Sequence, residues 1–238
     1  MEPAGVRTSI AAVIPAYNEE KHIGEVVRRT RQQLDHLLVV DDGSTDETAA
    51  RAREAGAEVV IHAKNQGKGE SIKTGLRYWL DRQFNWVVIL DADGQHLPEE
   101  IERLIQGSSD ALVLVGNRMA DVSAMPMVRR LVNRYMSRRI SRLCRQDIPD
   151  TQCGFRMVHR QVIPELLGGA ERFDYETEML IIASRKGLQI KSVPITTVYS
   201  DEVSSIHPVR DTIRFFRLLR RYRAADAREG RPQGGGYI

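Results

Sequence analysis

Short, mainly apolar runs alternate with stretches of helical spacing along the first half of the chain. The runs occupy residues 11–14, 37–40, 58–61, 87–90 and 112–115. Runs of this length fit buried strands, and helical patterns of roughly 12 residues separate them. The alternation predicts βαβ units and therefore an α/β, Rossmann-like fold with a mostly parallel central sheet flanked by helices.

A polar cluster follows each of the first four runs. The clusters are residues 15–20, 41–46, 65–69 and 91–96, and they are acidic or glycine-rich. Parallel sheets bind ligands outside the carboxyl ends of their strands, so we expect the four clusters to meet in one crevice. Any one of them could be a solvated loop, but the set favours a binding site. In the second cluster, Ser44 or Thr45 is expected to cap the next helix.

The fourth cluster carries Asp91, Asp93 and Gln95 at every second position after a buried strand. Oxygen ligands of this kind suit Mg²⁺ or Mn²⁺, which are commonly held by one or two carboxylates while substrate phosphates and water complete the coordination. We therefore expect a metal site over a diphosphate. The alternative is an acidic turn that caps a helix starting near Leu97 and Pro98.

In this order, the clusters resemble the nucleotide-sugar-binding half of the GT-A fold in family 2 glycosyltransferases. The matching segments are 14–20, 40–46, 65–69 and 91–96. Segments 116–118 and 150–156 extend the resemblance to dolichol-phosphate mannosyltransferase and related polyprenyl-phosphate glycosyltransferases. The resemblance covers most of residues 8–200, and it implies a GT-A fold with a basic acceptor-side helical region.

The resemblance also implies roles at the sugar donor. Tyr17 would stack or pack on the base, and a core tyrosine is the alternative interpretation of that residue taken alone. Glu19 and Asp42 would accept hydrogen bonds from the base or ribose, while Gln66 and Lys68 would meet nucleotide or phosphate. The bound metal would neutralise the departing nucleoside diphosphate. The implied nucleotide-sugar-binding residues are Pro15, Tyr17, Asn18, Glu19, Asp42, Gln66, Lys68, Asp91, Ala92 and Asp93.

Charge separates the two halves of the chain. Residues 1–117 contain 13 Lys and Arg against 19 Asp and Glu, a net charge of −6, whereas residues 118–238 contain 22 against 13, a net charge of +9. Between Pro126 and Gln146 lie seven arginines and no acid. Arg130, Arg134 and Arg138 have helical spacing, and so does an apolar stripe made of Val128, Leu131, Val132, Tyr135, Ile140 and Leu143.

Such a basic amphipathic helix is typical of a segment that lies on an anionic membrane surface. The alternative is a core helix with a solvated arginine face. The C-terminal segment repeats the pattern with Val209, Ile213, Phe216 and Leu219 among six arginines. No apolar run approaches the ~20 residues of a bilayer span and no signal peptide is evident, so we expect a cytoplasmic protein, peripheral on the cytoplasmic face of a membrane. A separate membrane-protein partner is compatible with this pattern, whereas nothing beside the arginines indicates nucleic-acid binding.

A polyprenyl phosphate acceptor is what the resemblance implies for the second half. A phosphate monoester is already anionic near neutral pH, so a strong general base is unnecessary. Arg156 would contact the diphosphate or brace its loop. The implied acceptor-phosphate residues are Arg118, Arg130, Arg134, Arg156 and Ser205, and the implied catalytic residues are Asp93, Arg118, Asp150 and Gln152.

The segment 199–207 departs from the mannosyl members of the family, which usually place an arginine and a Ser-Lys pair there. This chain reads Tyr-Ser-Asp-Glu-Val-Ser-Ser-Ile-His instead. The donor sugar is therefore open between GDP-mannose and UDP-sugars such as UDP-glucose or UDP-GlcNAc. Glu176 orients sugar or loop in one interpretation and stabilises the first turn of its helix in the other.

Length and composition fit one GT-A domain over residues 1–223, with a nucleotide-sugar-binding half (8–117), an acceptor-side half (118–223) and a flexible tail (224–238). Its 238 residues, 42% of them hydrophobic, suffice for one substantial core. Cys144 and Cys153 are interpreted as reduced thiols. The expected activity is an inverting, metal-dependent sugar transfer from a UDP- or GDP-sugar to polyprenyl phosphate. The alternatives are a soluble acceptor and a non-catalytic nucleotide-sugar sensor.

Overall fold

The computed structural model of the chain describes residues 9–82, 84–123, 125–168, 175–198 and 208–228, with the backbone alone for 208–214 and 225–227. The strands are β1 (Ile10–Ala16), β2 (His36–Asp41), β3 (Glu58–Ile61), β4 (Trp86–Ile89), β5 (Val113–Asn117), β6 (Arg156–His159) and β7 (Ile190–Pro194). The helices are α1 (Ile23–Arg31), α2 (Thr48–Glu54), α3 (Lys68–Leu80), α4 (Ile101–Gln106), α5 (Met127–Cys144), α6 (Ile163–Leu166), α7 (Tyr175–Arg185) and α8 (Pro208–Arg228).

The strands form one seven-stranded sheet in the order β3-β2-β1-β4-β6-β5-β7. β6 runs antiparallel to its neighbours β4 and β5, while the other pairings are parallel. The predicted α/β fold with a mostly parallel, helix-flanked sheet is confirmed. Because β1 and β4 are central neighbours, the loops that follow them lie side by side at the carboxyl edge of the sheet.

Packing of α3 against β1 sets the central layer. Every residue of β1 is buried, as the apolar run predicted. A Cβ on Gly75 would lie 2.4 Å from Val13 Cγ1, so only glycine allows the helix to approach this closely. Trp79 is buried in the same interface and donates from its indole nitrogen to the Ala12 carbonyl at 3.0 Å. The helix is thereby fixed with its N-terminus at the carboxyl edge of the sheet.

Three local features differ from the sequence prediction. The helix after the second run begins at Thr48, without a side-chain cap, so the prediction of a Ser44 or Thr45 cap is wrong. Strands β6 and β7 carry charged or polar residues and had no apolar run to indicate them. α8 continues to Arg228, so residues 224–228 of the predicted tail are helical, while 229–238 lie outside the described residues.

In the first part of helix α5, polar side chains face the protein interior and apolar side chains face the surface. Its inward positions include Asn133 and Ser137, whose side chains hydrogen-bond to each other at 3.0 Å. Farther along, Ile140 and Cys144 join the apolar core. The apolar stripe predicted from the sequence is therefore split, because Ile140 faces inward whereas Val128 is exposed. In the part of the chain that the structure describes, we find no helix with the length and hydropathy of a bilayer span.

Candidate active site

Hydrogen bonds join the loops after β1 and β2. The Asn18 amide N–H donates to Ser44 Oγ at 2.9 Å, and the Thr45 N–H donates to Asn18 Oδ1 at 2.9 Å. Glu19 N–H donates to Thr48 Oγ1 at 2.7 Å. Asn18 has a φ of +55°, a left-handed conformation that asparagine tolerates better than most residues. The side chain of Asn18 therefore holds the two loops together, while its contact with a nucleotide stays a prediction.

The Asp42 carboxylate connects the second loop to the third. It is buried and accepts hydrogen bonds from the backbone N–H groups of Gln66 at 2.9 Å and Gly67 at 2.7 Å. His62 Nδ1 lies 2.8 Å from the same carboxylate. Asp42 thus positions the glycine-rich loop, and the predicted bond to base or ribose would need one of its remaining lone pairs. Tyr17, by contrast, is 45% exposed at the end of β1, with its ring available for stacking.

The acidic motif after β4 is folded into a tight turn. Asp93 Oδ1 accepts from the Gln95 N–H at 3.0 Å, and His96 Nδ1 accepts from the Asp91 N–H at 3.3 Å. His96 is buried and stacks on Phe155 with ring centroids 5.4 Å apart. Burial lowers the pKa of His96 despite the opposing charge of Asp91, so the ring is neutral near pH 7. His96 supports the turn, a role that the sequence analysis did not assign.

Lys68 lies between two carboxylates at the N-terminus of α3. Its Nζ is 2.6 Å from Asp91 Oδ1 and 3.1 Å from Glu176 Oε2. Burial alone would lower the pKa of Lys68, but the two carboxylates outweigh burial and raise it. Burial alone would raise the pKa of Asp91, and the Lys68 ammonium reverses the shift to well below the ordinary value. Both groups are therefore charged at neutral pH.

The oxygen donors of the acidic motif fit a divalent cation. Asp91 Oδ1 is buried, and the Lys68 ammonium contacts it at 2.6 Å without a further hydrogen-bond donor among the described residues. Asp93 and Gln95 are half-buried beside it. Among the described residues, no group of three or more His, Cys, Asp or Glu side chains is gathered for a metal. Phosphate and water oxygens would have to complete the coordination, as is common for Mg²⁺.

Asp150 anchors the acceptor side. Its carboxylate accepts from Arg118 Nε at 2.7 Å and from a second guanidinium nitrogen at 3.0 Å. Asn133 Nδ2 and the Gln152 N–H also donate to it, at 2.8 and 3.2 Å. Burial would raise the pKa of Asp150, but Arg118 outweighs burial and lowers it. Both side chains are at least nine-tenths buried, so the structure pairs these two predicted catalytic residues with each other.

Arg156 has no exposed surface and bonds to backbone carbonyls. Its guanidinium donates to Cys153 O at 2.9 Å, to Thr151 O at 3.1 Å and to the carbonyl of Glu176. Burial lowers its pKa from the ordinary arginine value, against the opposing charge of Glu176. These contacts match the loop-bracing interpretation, and a direct phosphate contact stays a prediction that requires them to open.

The remaining acceptor-phosphate predictions fall on α5 and on residues that the structure does not describe. Arg134 is exposed and Arg130 half-buried on α5. Ser205 and the whole segment 199–207 lie outside the described residues. The chain that leads into this segment pairs with the acidic motif, because the Val198 N–H donates to Gln95 O at 3.1 Å.

The model of the family "Glycosyl transferase family 2" matches residues 11–167 of the chain. The chain belongs to glycosyltransferase family 2. The match spans β1 to α6 and includes the four clusters at the sheet edge.

The glycosyltransferase has relatives of similar length. It is 32% identical to the UDP-N-acetylglucosamine–dolichyl-phosphate N-acetylglucosaminyltransferase of Methanococcus voltae, over 81% of this chain and 86% of that protein. It is 31% identical to the polyprenol monophosphomannose synthase of Mycolicibacterium smegmatis, over 82% of this chain and 80% of that one.

Solved structures share the fold of this family 2 glycosyltransferase. Glucosyl-3-phosphoglycerate synthase from Mycobacterium tuberculosis, in complex with Mg²⁺ and uridine diphosphate, superposes with a TM-score of 0.66 at 21% identity. The alignment covers 100% of this chain and 88% of that chain. At this identity the likeness establishes the fold and no more.

Several residues of the glycosyltransferase site had no assigned role in the sequence analysis. Asn133 and Ser137 are short polar residues four positions apart in a mainly apolar and basic helix, and that spacing was the available signal. Gly154 lies between two carboxylates, since a Cβ there would come within 2.6 Å of Asp91 Oδ2 and 2.9 Å of Glu176 Oε1. No local pattern could have indicated a contact of this kind.

Proposed function

We propose that the protein transfers a sugar with inversion from a UDP- or GDP-sugar to a polyprenyl phosphate at a membrane surface, with Mg²⁺ or Mn²⁺ bound at the donor. Relatives named for transfer to polyprenyl or dolichyl phosphates support this acceptor. The observation that carries the proposal is the exposed apolar face of α5. Its members are Met127 (77% exposed), Val128 (75%), Leu131 (58%), Val132 (51%) and Tyr135 (50%).

This face is unusual for a surface that meets only water. Fully burying a Val or Leu side chain contributes about 1.5–3 kcal/mol, so each half-exposed member contributes on the order of 1 kcal/mol when it enters a bilayer interface. The arginines of α5 provide complementary charge for anionic lipid headgroups. The helix can thus hold the protein where a lipid-linked phosphate is presented, with Arg130 and Arg134 as the proposed phosphate contacts.

The proposed mechanism divides the work between the two halves of the site. A divalent cation held by Asp91, Asp93 and Gln95 would act as a Lewis acid on the departing nucleoside diphosphate. Tyr17 would stack on the base at the end of β1. The acceptor phosphate attacks as an anion, so no side chain has to remove a proton. The buried pair of Arg118 and Asp150 keeps α5 beside the crevice through Asn133.

The first experiment is a donor and acceptor panel. Purified protein with Mn²⁺ or Mg²⁺ receives UDP- and GDP-sugars, with and without a short polyprenyl phosphate in detergent, and released nucleoside diphosphate is measured. Release that requires one sugar nucleotide and the lipid supports the proposal and names the donor. Release that is the same with and without the lipid contradicts the proposal and indicates a soluble acceptor. The absence of release with any donor favours a nucleotide-sugar sensor.

Vesicle flotation tests the membrane surface separately. We expect the wild type to float with phosphatidylglycerol vesicles, and Leu131→Asp to weaken binding about tenfold or more because apolar area is lost and a like charge is added. Ile61→Asp is the matched control, since Ile61 is also 50% exposed and apolar but lies on the edge strand β3. Equal flotation of both variants and the wild type would count against α5 as the docking face.

The alternative is a soluble acceptor. Glucosyl-3-phosphoglycerate synthase, which shares the fold, has been crystallised with phosphoglyceric acid, a small phosphorylated acid. A soluble phosphate could also meet the arginines of α5. The exposed apolar face favours the lipid, because a soluble anion gains nothing from five apolar side chains beside its binding site.

A further inference from the structure

Glu176 shares the Lys68 ammonium with Asp91. Lys68 Nζ is 3.1 Å from Glu176 Oε2 and 3.2 Å from Oε1, so both oxygens of Glu176 hold it, whereas Asp91 contacts it through Oδ1 alone at 2.6 Å. Each of the three side chains is at least three-quarters buried. One ammonium is thus shared by two carboxylates that come from opposite halves of the chain.

The backbone of Glu176 is held in place by Arg156. Its backbone carbonyl accepts from Arg156, which also binds the carbonyls of Thr151 and Cys153. Arg156 thereby ties the first turn of α7 to the turn that contains Gly154. The missing side chain of Gly154 is what lets the carboxylates of Asp91 and Glu176 approach the same ammonium.

We propose that the Lys68 ammonium stays paired with Asp91 until a divalent cation binds to that carboxylate. Glu176 is the positioning residue that holds Lys68 once Asp91 binds the metal. The inference rests on the metal part of the proposed function. Lys68 and a divalent cation compete for the same carboxylate, since Lys68 Nζ lies 2.6 Å from the buried Oδ1 of Asp91. Glu176 lowers the cost of the exchange because it offers Lys68 both of its oxygens.

The test is a titration with Mn²⁺ alone, without nucleotide. Binding is measured as the loss of the electron paramagnetic resonance signal of free Mn²⁺. Lys68→Met removes the competing cation, and we expect binding about tenfold tighter, which corresponds to about 1.4 kcal/mol. Glu176→Gln leaves Lys68 with Asp91 as its remaining carboxylate, and we expect weaker binding. In the Lys68→Met background, Glu176→Gln should have a much smaller effect, because the residual effect is long-range charge only.

Glu178→Gln is the matched control. It removes the same charge from the same helix, but the Glu178 carboxylate contacts Arg221 and Tyr222 of α8. We expect its Mn²⁺ affinity to stay near that of the wild type. Thermal unfolding of every variant separates a change in the site from a loss of folding, and Glu176→Gln with its control remains decisive if Lys68→Met does not fold.

Unchanged or weaker Mn²⁺ binding in Lys68→Met would overturn the inference, as would equal effects of Glu176→Gln and Glu178→Gln. These failures differ from a failure of the proposed function. A wild type that binds no Mn²⁺, even with UDP or GDP, would contradict the metal-dependent reaction itself. A wild type that binds Mn²⁺ without the variant pattern would contradict only the exchange between Lys68 and the metal.

Discussion

The catalytic role of Asp150 stays a prediction, and its buried contacts with Arg118 also predict a large effect on folding. Asp150→Asn keeps the shape of the side chain but leaves the Arg118 guanidinium as a buried charge without its carboxylate. The Asp150 side chain is 0% exposed and that of Arg118 is 9% exposed. Removal of one partner from a buried ion pair costs about 3–5 kcal/mol. We therefore expect Asp150→Asn to lose about that much of a free energy of unfolding that is typically about 5–15 kcal/mol.

Urea unfolding at pH 7 measures this loss. Asp147→Asn is the matched control, because it removes the same charge three residues earlier from an exposed side chain, and we expect a change within about 0.5 kcal/mol. The double variant Arg118→Met/Asp150→Asn should recover part of the loss, since no unpaired charge remains buried. The cycle of four proteins isolates the interaction between the two side chains.

The pH dependence gives an independent check on the same pair. The folded-state pKa of Asp150 lies below its unfolded value, so the pair's contribution is fully present above the unfolded value, which is about 3.9. The contribution is lost as pH falls toward the folded-state pKa. The difference in unfolding free energy between wild type and Asp150→Asn should therefore be large at pH 7 and shrink below about pH 4. A variant that unfolds like the wild type at pH 7 but transfers no sugar would refute the structural role and restore a catalytic one.

Three further predictions concern the donor site and the thiols. Gly154→Ala should weaken binding of Mn²⁺ with UDP or GDP in a calorimetric titration, because its Cβ would come within 2.6 Å of Asp91 Oδ2; undiminished affinity would contradict the contact. Tyr17→Ala should weaken nucleotide binding by about 1–3 kcal/mol if the ring stacks on the base, while Tyr17→Phe should bind like the wild type. Cys144 and Cys153 are buried and their thiol pKa values are raised to about 12, so neither should react with iodoacetamide at pH 8 until urea unfolds the chain. Modification of the native protein would contradict their burial.

The central strands and the clusters behind them could be predicted because burial on both faces leaves a continuous apolar run. That rule failed for β6, which begins with Arg156 and ends with His159 between two other strands. Arg156 satisfies its guanidinium with backbone carbonyls of its own loop, so a charged residue can occupy a fully buried position. Hydropathy cannot indicate a strand whose charged side chain is hydrogen-bonded by contacts that form only after folding.

The pairing of Arg118 with Asp150 had no sequence signal either. The two residues are 32 positions apart, and each matched a family motif as a separate functional residue. Helix α5 shows the same limit in another form. Its periodicity predicted one apolar face, but the described helix turns Asn133 and Ser137 inward because Asp150 and Thr151 are there to bond with them. The apolar residues near the start of the helix consequently remain on the surface.

The predicted division at residue 117, between a nucleotide-sugar-binding half and an acceptor-side half of one domain, falls within a single sheet. β6 comes from the acceptor-side half, yet it lies between β4 and β5 of the nucleotide-sugar-binding half. An ion pair crosses the division as well, since Lys68 of the first half pairs with Glu176 of the second. A fragment ending near residue 117 would lack the strand that joins β4 to β5 and the carboxylate that holds Lys68. The proposed donor site would therefore be complete only when the acceptor side has folded onto it, because the sheet that carries the site contains strands from both halves.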